Sequence, residues 1–234
     1  MVVSILAIAD TVSPFLYDHF RADQWQSIDM VLAAGDLPPE YLDFLCSNLN
    51  VPVLYVRGNH DGGFGDDRYD GSRNVHGRIV EVKGLRIAGF EGCQRYNNGA
   101  IQYSEAEMNR VARKLRLLAH RTGPADIILA HAPPAGVNDG PDPCHRGFAC
   151  FVDLIQQWAP AYFVHGHMHV YPGQPRVTTV GATTVLNAYG YQKLEVVRPV
   201  PVAAVPPARA ARLQPAGAGP LPGFGTQSKG ADSR

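Results

Sequence analysis

Seven polar residues that can bind metal ions or transfer protons follow apolar runs of the chain. They are Asp10, Asp36, Asn59, His60, His131, His167 and His169. Carboxylate and imidazole ligands together suit a divalent ion such as manganese, iron or zinc, and the lack of a thiolate favours a hydrolytic centre over a structural zinc site. His167 and His169 form the most specific pair, because alternate residues of an extended chain point the same way and both rings can face one cavity.

Each of these positions also has an ordinary structural explanation. An aspartate after a strand, such as Asp36, is commonly a helix cap or a turn residue, and Gly58 with Asn59 suits a left-handed turn. A lone His131 would more often be a hydrogen-bonded core residue than a ligand. The occurrence of the whole set in this order, with each member after a strand, is what favours a metal centre.

The apolar runs predict an α/β domain. Strands are predicted at residues 2–9, 29–34, 51–56, 125–130 and 161–164, and a hairpin at 78–82 and 85–89. Helices are predicted at 14–21, from Pro38 or Pro39 to 49, at 104–120 and at 147–158. Strands that alternate with helices indicate parallel sheet content, and the final short strands, at 177–180, 183–186 and 192–197, predict a second sheet packed on the first. Ligands of open α/β sheets bind beyond the carboxyl ends of the strands, where the polar residues lie.

The composition divides the chain into two parts. It has 234 residues with 21 basic and 21 acidic side chains, so the formal net charge is zero. Residues 199–234 are rich in proline, alanine and glycine, which predicts a disordered tail after a domain at residues 1–198. The tail has four basic and one acidic residue, giving +3, which leaves 17 basic and 20 acidic residues, or −3, in the domain. This balance argues against a general nucleic-acid binder.

The same composition predicts a soluble, cytoplasmic protein. The early apolar run at residues 2–9 is too short to span a membrane, and no basic segment precedes it as in a signal peptide. The four cysteines lie far apart without a C-x-x-C pair, so we expect reduced thiols rather than disulfides or a thiolate zinc site.

The ordered motifs resemble those of the calcineurin-like metallophosphoesterase superfamily. They are Asp10, Gly35-Asp36, Gly58-Asn59-His60-Asp61, His131 and Gly166-His167-Met168-His169. The resemblance covers residues 1–198 and implies a four-layer αββα sandwich, in which two mixed β-sheets are flanked by helices. It also implies a centre of two divalent ions (Mn²⁺, Fe²⁺/Fe³⁺ or Zn²⁺) and hydrolysis of a phosphoester by a metal-bound hydroxide.

The resemblance assigns a role to each residue by position. The metal ligands would be Asp36, which bridges both ions, with Asp10 and His169 on the first ion and Asn59, His131 and His167 on the second. His60 would be the catalytic histidine, which binds no metal, contacts phosphate and assists the leaving group. Asp61 could orient the His60 ring, or it could be an ordinary turn residue.

Two positions depart from the family pattern. The first motif of the family is usually Asp-x-His, but its third position here is Val12, which cannot bind a metal. The first metal site should therefore be weaker or open to substrate. Pro39 stands where the family often has an acidic residue, so a partner for His60 must come from elsewhere. A small prokaryotic branch of predicted phosphoesterases looks similar at this first motif.

These observations predict a metal-dependent phosphoesterase that acts on a small phosphoester. A phosphodiester is slightly favoured, because insertions into the domain are short and the site should be open. The alternative is a non-catalytic metal-binding or protein-interaction module on the same fold, which Val12 favours; a mononuclear metal binder lies between the two. Arg146, and Arg95 with Tyr96, are further candidates for substrate contact, and His76 is interpreted as a surface residue. Neither nucleic acid nor a membrane is expected as a partner, and the oligomeric state stays open.

Overall fold

The fold is built from two β-sheets that pack face to face. The computed structural model describes residues 2–63, 71–170 and 175–197. The predicted tail at 199–234 lies outside these residues, and the boundary at residue 198 stays a prediction.

The first sheet has five strands in the order β13-β1-β2-β3-β4. Its strands are β1 (Val2–Ala9), β2 (Met30–Ala33), β3 (Val53–Tyr55), β4 (Ser72–Asn74) and β13 (Gly190–Val197). The first four are parallel to one another, and β13 runs antiparallel to β1 along eight residue pairs. The carboxyl ends of β1, β2 and β3 therefore meet at one edge of the sheet.

The second sheet has six strands in the order β11-β12-β10-β9-β6-β5. Its strands are β5 (Ile79–Val82), β6 (Leu85–Phe90), β9 (Ile127–Ala130), β10 (Tyr162–His165), β11 (Val177–Val180) and β12 (Thr183–Asn187). The four central strands are parallel, and the edge strands β5 and β11 are antiparallel to their neighbours. A short parallel pair, β7 (Cys93–Gln94) with β8 (Gln102–Tyr103), was not predicted.

Helices cover the outer faces of both sheets. They are α1 (Pro39–Leu49), α2 (Glu105–Thr122) and α3 (Ala149–Trp158). Ser104 caps α2 through the Glu107 backbone, and Glu107 reciprocates in a capping box, as the sequence indicated. The chain is thus a four-layer αββα sandwich of two mixed sheets, and this prediction is confirmed.

Three apolar layers hold the sandwich together. Side chains from both sheets, such as Ile5, Leu32 and Leu129, are buried between the sheets. Further buried layers join α2 and α3 to the second sheet, and α1 to the first sheet. Because burial of each large apolar side chain contributes roughly 1.5–3 kcal/mol, these layers fix the strand ends that carry the polar residues.

Two details of the predicted fold are wrong. Residues 14–21 form turns rather than a helix: only Leu16 is fully buried, while Phe15 and Tyr17 are partly exposed and pack against different rings, so no single apolar stripe forms. The last strand, β13, was expected in the second sheet but pairs with β1 in the first. Among the described residues, no helix is both long and apolar enough to cross a membrane.

Candidate metal centre

The polar residues singled out by the sequence converge where strands of both sheets end. Asp10 follows β1, and its backbone N–H donates to Gly35 O after β2 at 3.0 Å. His131 follows β9 in the second sheet, and its Nδ1 lies 2.7 Å from Ala34 O after β2. The packed sheets therefore bring residues from distant parts of the chain to one edge.

Close approach at this edge requires glycine at two motif positions. Gly35 has φ of +95°, and a Cβ there would lie 2.7 Å from His131 Nδ1. A Cβ on Gly166 would lie 2.7 Å from Asp10 Oδ2. Real Cβ atoms do not come so close to other heavy atoms, so these glycines let the ligand-bearing segments pack against each other.

Four of the predicted ligands form a tight cluster: Asp36, Asn59, His131 and His167. His131 Nε2 lies at its middle, 3.0 Å from Asn59 Oδ1 and 3.1 Å from His167 Nδ1. Asp36 Oδ2 lies 3.4 Å from the same nitrogen. One carboxylate, one amide oxygen and two imidazole nitrogens therefore converge, which is a donor set that suits a borderline divalent cation.

Hydrogen bonds behind the two histidines fix which nitrogen each presents to the cluster. The carbonyl oxygen of Ala34 accepts from His131 Nδ1, and that of Cys144 accepts from His167 Nε2 at 2.6 Å. A ring nitrogen that donates to a carbonyl leaves the other nitrogen with a free lone pair. When both rings are neutral, the lone pairs of His131 Nε2 and His167 Nδ1 face the cluster.

The charges of the cluster also suit a cation. Burial raises the pKa of Asp36, but the neighbouring His131 outweighs it and lowers the pKa to about 2. Burial lowers the pKa of His131, but the Asp36 carboxylate reverses this and raises it to about 9. Burial and the charge of His131 lower the pKa of His167 to about 3. Groups that stabilise a proton on His131 would stabilise a divalent cation in its place.

Asp10 adds an unsatisfied carboxylate oxygen beside the cluster. Its Oδ1 accepts from the His167 backbone N–H at 2.8 Å, while Oδ2 is buried without a hydrogen-bond partner among the described residues. Burial raises the pKa of Asp10 to about 6. A buried carboxylate oxygen without a donor is costly unless a cation compensates it, so Asp10 fits a metal-ligand role.

His60 and His169 are exposed beside the cluster rather than part of it. The His60 backbone N–H donates to Asp36 Oδ1 at 2.8 Å, which places its side chain next to the predicted bridging residue. The His169 ring packs against Tyr189, with ring centroids 5.0 Å apart. His60 is therefore available to substrate, and the role of His169 as a ligand stays a prediction.

Three predicted ligand positions have left-handed backbone. The φ angles of Asp10, Asp36 and His167 are +65°, +55° and +65°. Non-glycine residues adopt this region at an energetic cost, and such strain concentrates at functional sites. Hydrogen bonds from the backbone N–H of each residue hold the strained conformation in place.

Asp61 supports this backbone, and none of its described hydrogen bonds goes to the His60 ring, so an orienting role for Asp61 stays a prediction. Its buried Oδ2 accepts from the backbone N–H of Gly58 at 2.7 Å and of Asp36 at 2.9 Å. Burial raises the pKa of Asp61. Sequence reasoning missed this role because the bond to Asp36 joins residues 25 positions apart, although the short link from Asp61 to Gly58 is a local turn pattern.

We expect Asp61→Ala to destabilise the fold by about 2–4 kcal/mol, because two buried N–H groups lose their acceptor. Asp61→Asn retains an amide oxygen and should cost less than about half as much. Urea unfolding of both variants measures the difference. Equal stability of Asp61→Ala and the unchanged protein would contradict this role.

The other candidates differ in how they relate to the centre. Tyr96 is near it, since its hydroxyl accepts from Asn59 Nδ2 at 3.4 Å, whereas Arg95 instead pairs with Glu107 at 2.8 Å. Arg146 is exposed and makes no hydrogen bond to the described residues. Val12 is partly buried against the apolar layer between the first sheet and α1, and cannot supply a ligand.

A buried polar network behind the centre was missed by sequence reasoning. The carboxylate of Glu91, which follows β6, accepts from Arg57 Nε at 2.9 Å and from Tyr103 OH at 2.6 Å. The Glu91 backbone N–H donates to His76 Nδ1 at 3.0 Å, so His76 is part of this network and not a simple surface residue. Arg57 immediately precedes the Gly58 motif, and the network therefore anchors that loop. The position of Glu91 at a strand end was the available signal.

Comparison with known proteins supports this description. A family model described as calcineurin-like phosphoesterase matches residues 4–171. An uncharacterized protein of Haemophilus influenzae is 29% identical over 223 residues, which cover 77% of this chain and 93% of that protein.

Solved structures share the fold. One has a TM-score of 0.61 at 18% identity and covers 83% of this chain and 95% of its own. The structure of TT1561 from Thermus thermophilus has a TM-score of 0.56 at 18% identity, covering 81% of this chain and 90% of its own.

The family match includes every residue of the candidate centre. It extends from before Asp10 to beyond His169, and so spans both sheets and the strand ends that carry the polar residues. The chain belongs to the calcineurin-like phosphoesterase family, a family that is characterised in general by metal-dependent hydrolysis of phosphoesters.

Proposed function

We propose that this chain hydrolyses small phosphodiesters with the help of two divalent metal ions. The observation that carries the proposal is the convergence of Asp36, Asn59 and His167 on His131 Nε2, each within 3.4 Å of that nitrogen, beside the unsatisfied oxygen of Asp10. A scaffold without chemistry has no need of so many metal-binding side chains converging at one largely buried point.

The chain offers ligands for two ions. Asn59, His131 and His167 would hold one ion, Asp10 and His169 the other, and Asp36 both. Divalent ions at such a centre supply Lewis acidity, which neutralises phosphate charge and makes water a better nucleophile at neutral pH. Manganese, iron and zinc all suit these nitrogen and oxygen ligands.

His60 supplies the proton for the departing oxygen. Its backbone is tied to Asp36 Oδ1, so the ring is held beside the metal-binding carboxylate while it stays exposed to substrate. A protonated imidazole can donate its proton to a departing oxygen and so act as a general acid. The side chain of Asn59 is positioned in turn by Tyr96.

An open site supports diesters over monoesters. His60, His169 and Tyr96 are all exposed at the rim, so a phosphorus atom that carries two ester arms has room there. A monoester would leave part of this space unused. Monoester hydrolysis by the same residues is the competing activity, and comparing a monoester with a diester distinguishes the two.

A non-catalytic module on the same fold is the second candidate. Val12 favours this candidate. Its partly buried side chain cannot bind a metal, so the first ion has one protein ligand fewer than the family pattern supplies. The intact cluster around His131 counts against it.

The function is tested with p-nitrophenyl phosphate and bis(p-nitrophenyl) phosphate. We expect Mn²⁺-dependent release of p-nitrophenolate, faster from the diester, with loss on chelation and recovery on re-addition of metal. Metal analysis of the same samples should find up to two ions per chain. A chain that binds metal yet hydrolyses neither ester would favour the non-catalytic module.

Val12→His should strengthen the first metal site. An added imidazole ligand should lower the dissociation constant of the more weakly bound ion at least about tenfold. Even residues that only hydrogen-bond to a ligand change metal affinity by about 10–100-fold when they are mutated. Isothermal titration of Mn²⁺ measures this, with Val12→Leu as the matched control that adds bulk without a ligand. Unchanged affinity in Val12→His would argue against the assignment of Asp10 and His169 to that ion.

A further inference from the structure

A cleft of about 640 Å³ opens beside the first metal site. Its walls include Thr11, Val12, Arg176, Tyr189 and Lys193. The side chain at the position that departs from the family motif, Val12, is thus part of this wall. Neither the predicted metal ligands nor His60 lines this cleft, so the proposed hydrolysis does not explain why it is there.

Two residues of the cleft wall, Thr11 and Tyr189, adjoin predicted metal ligands. Thr11 directly follows Asp10, and Tyr189 forms an isolated bridge with Ala9 at the end of β1. The Tyr189 ring also packs against His169 at 5.0 Å. A substituent on a phosphorus atom held at the centre can therefore extend into the cleft past Thr11 and Tyr189.

Two cationic side chains line the cleft, and each keeps N–H donors that make no described hydrogen bond. Arg176 gives one N–H to Tyr189 O at 2.6 Å, and none of the described carboxylates pairs with it. Lys193 is exposed, lies 4.8 Å from the centre of the Trp25 ring, and makes only a long 3.5 Å contact with Gln24 O. Among the described residues, no aspartate or glutamate lines the cleft. Its walls therefore favour an anion.

A smaller cleft on the other side of His169 has the opposite character. Its volume is about 200 Å³, and Asp139 is part of its wall. A carboxylate there would repel an anionic substituent. The charge difference selects the larger cleft for an anionic part of a substrate.

We propose that this cleft binds the non-leaving arm of the substrate and selects phosphodiesters whose arm carries a second negative group. The proposal rests on the proposed phosphodiesterase function. Lys193 lies three residues along β13 from Gly190, and a strand rises about 3.4 Å per residue, so the second anion can lie up to about 10 Å into the cleft. Arg176 would bind the second anion of a substrate whose non-leaving arm is shorter.

A matched pair of esters tests the proposal. The 4-carboxybutyl and 4-carbamoylbutyl esters of p-nitrophenyl phosphate share one leaving group and differ only in the charge of the other arm. We expect kcat/KM to be about tenfold higher for the carboxylate, as for one charge-assisted hydrogen bond near solvent. Arg176→Gln and Lys193→Gln should each lower this ratio toward one.

The control and the contrary outcomes separate this proposal from the proposed function. Lys83→Gln removes an exposed cation that pairs with Asp29 outside the cleft, and should leave the ratio unchanged. The cleft assignment is overturned if kcat/KM is equal for both esters, or if Arg176→Gln and Lys193→Gln do not alter the ratio. In either case, hydrolysis of the esters still supports the proposed function. If neither ester is hydrolysed, calorimetry with the Mn²⁺-loaded protein decides, and equal or absent binding of both esters again overturns the assignment.

Discussion

Asp36→Asn should lower kcat/KM for a phosphodiester by about a thousandfold or more, and should reduce the metal content of the protein. The substitution replaces the predicted bridging carboxylate with a neutral amide, and a loss of about 4 kcal/mol of charge stabilisation corresponds to this factor. The remaining amide oxygen can still accept from the His60 backbone N–H, but the amide nitrogen that replaces the second carboxylate oxygen carries only donors and cannot bind a cation. Steady-state kinetics and metal analysis on the same preparation measure both effects.

Asp23→Asn is the matched control for this change. Asp23 is exposed and, among the described residues, pairs with Arg21 alone, at 3.0 Å, so the same carboxylate-to-amide change should leave kinetics and metal content unaffected. If Asp36→Asn retains full activity at full metal content, the residue does not hold the ions and the proposed centre is wrong.

His60→Ala should lower kcat strongly while metal binding is preserved, because we assign His60 to proton transfer and to neither ion. The loss should reach about 10²–10⁴-fold with an alkyl leaving group, which needs a proton as it departs. It should be much smaller with p-nitrophenolate, whose negative charge is stable without protonation. Comparing kcat for the alkyl and the p-nitrophenyl leaving group, in the unchanged protein and in His60→Ala, isolates the general-acid role.

His120→Ala controls for the loss of an imidazole. His120 is exposed near the end of α2 and has no described contact with the centre, so its removal should leave both rates unchanged. An equal loss for both leaving groups in His60→Ala would contradict proton donation, and would assign His60 to phosphate binding instead.

Local patterns predicted most of the elements and the whole set of strand-end residues. The apolar run of β1 and the capping box of α2 are encoded by neighbouring residues, so sequence periodicity sufficed to find them. The position of Asp36 and His131 after strands predicted that they would lie at one edge, and the structure has them 3.4 Å apart.

Non-local contacts account for what was missed. The pairing of β13 with β1 joins the two ends of the domain, and no local pattern specifies it. The roles of Asp61 and Glu91 depend on partners 25 and 34 residues away, respectively, in the chain. The turns at 14–21 have helix-compatible residues but bury a single side chain, so tertiary packing overrides local preference there.

The hydrogen bond from His131 to Ala34 O crosses from one sheet to the other, and this has a consequence for how the protein assembles. Asp10, Asp36 and Asn59 belong to the first sheet, whereas His131 and His167 belong to the second. Neither half of the sandwich contains a complete ligand set, so high-affinity metal binding has to await the docking of the two sheets. Once bound, an ion would act as a cross-link between them, and the edge that performs the chemistry would also be the edge that resists separation of the sandwich.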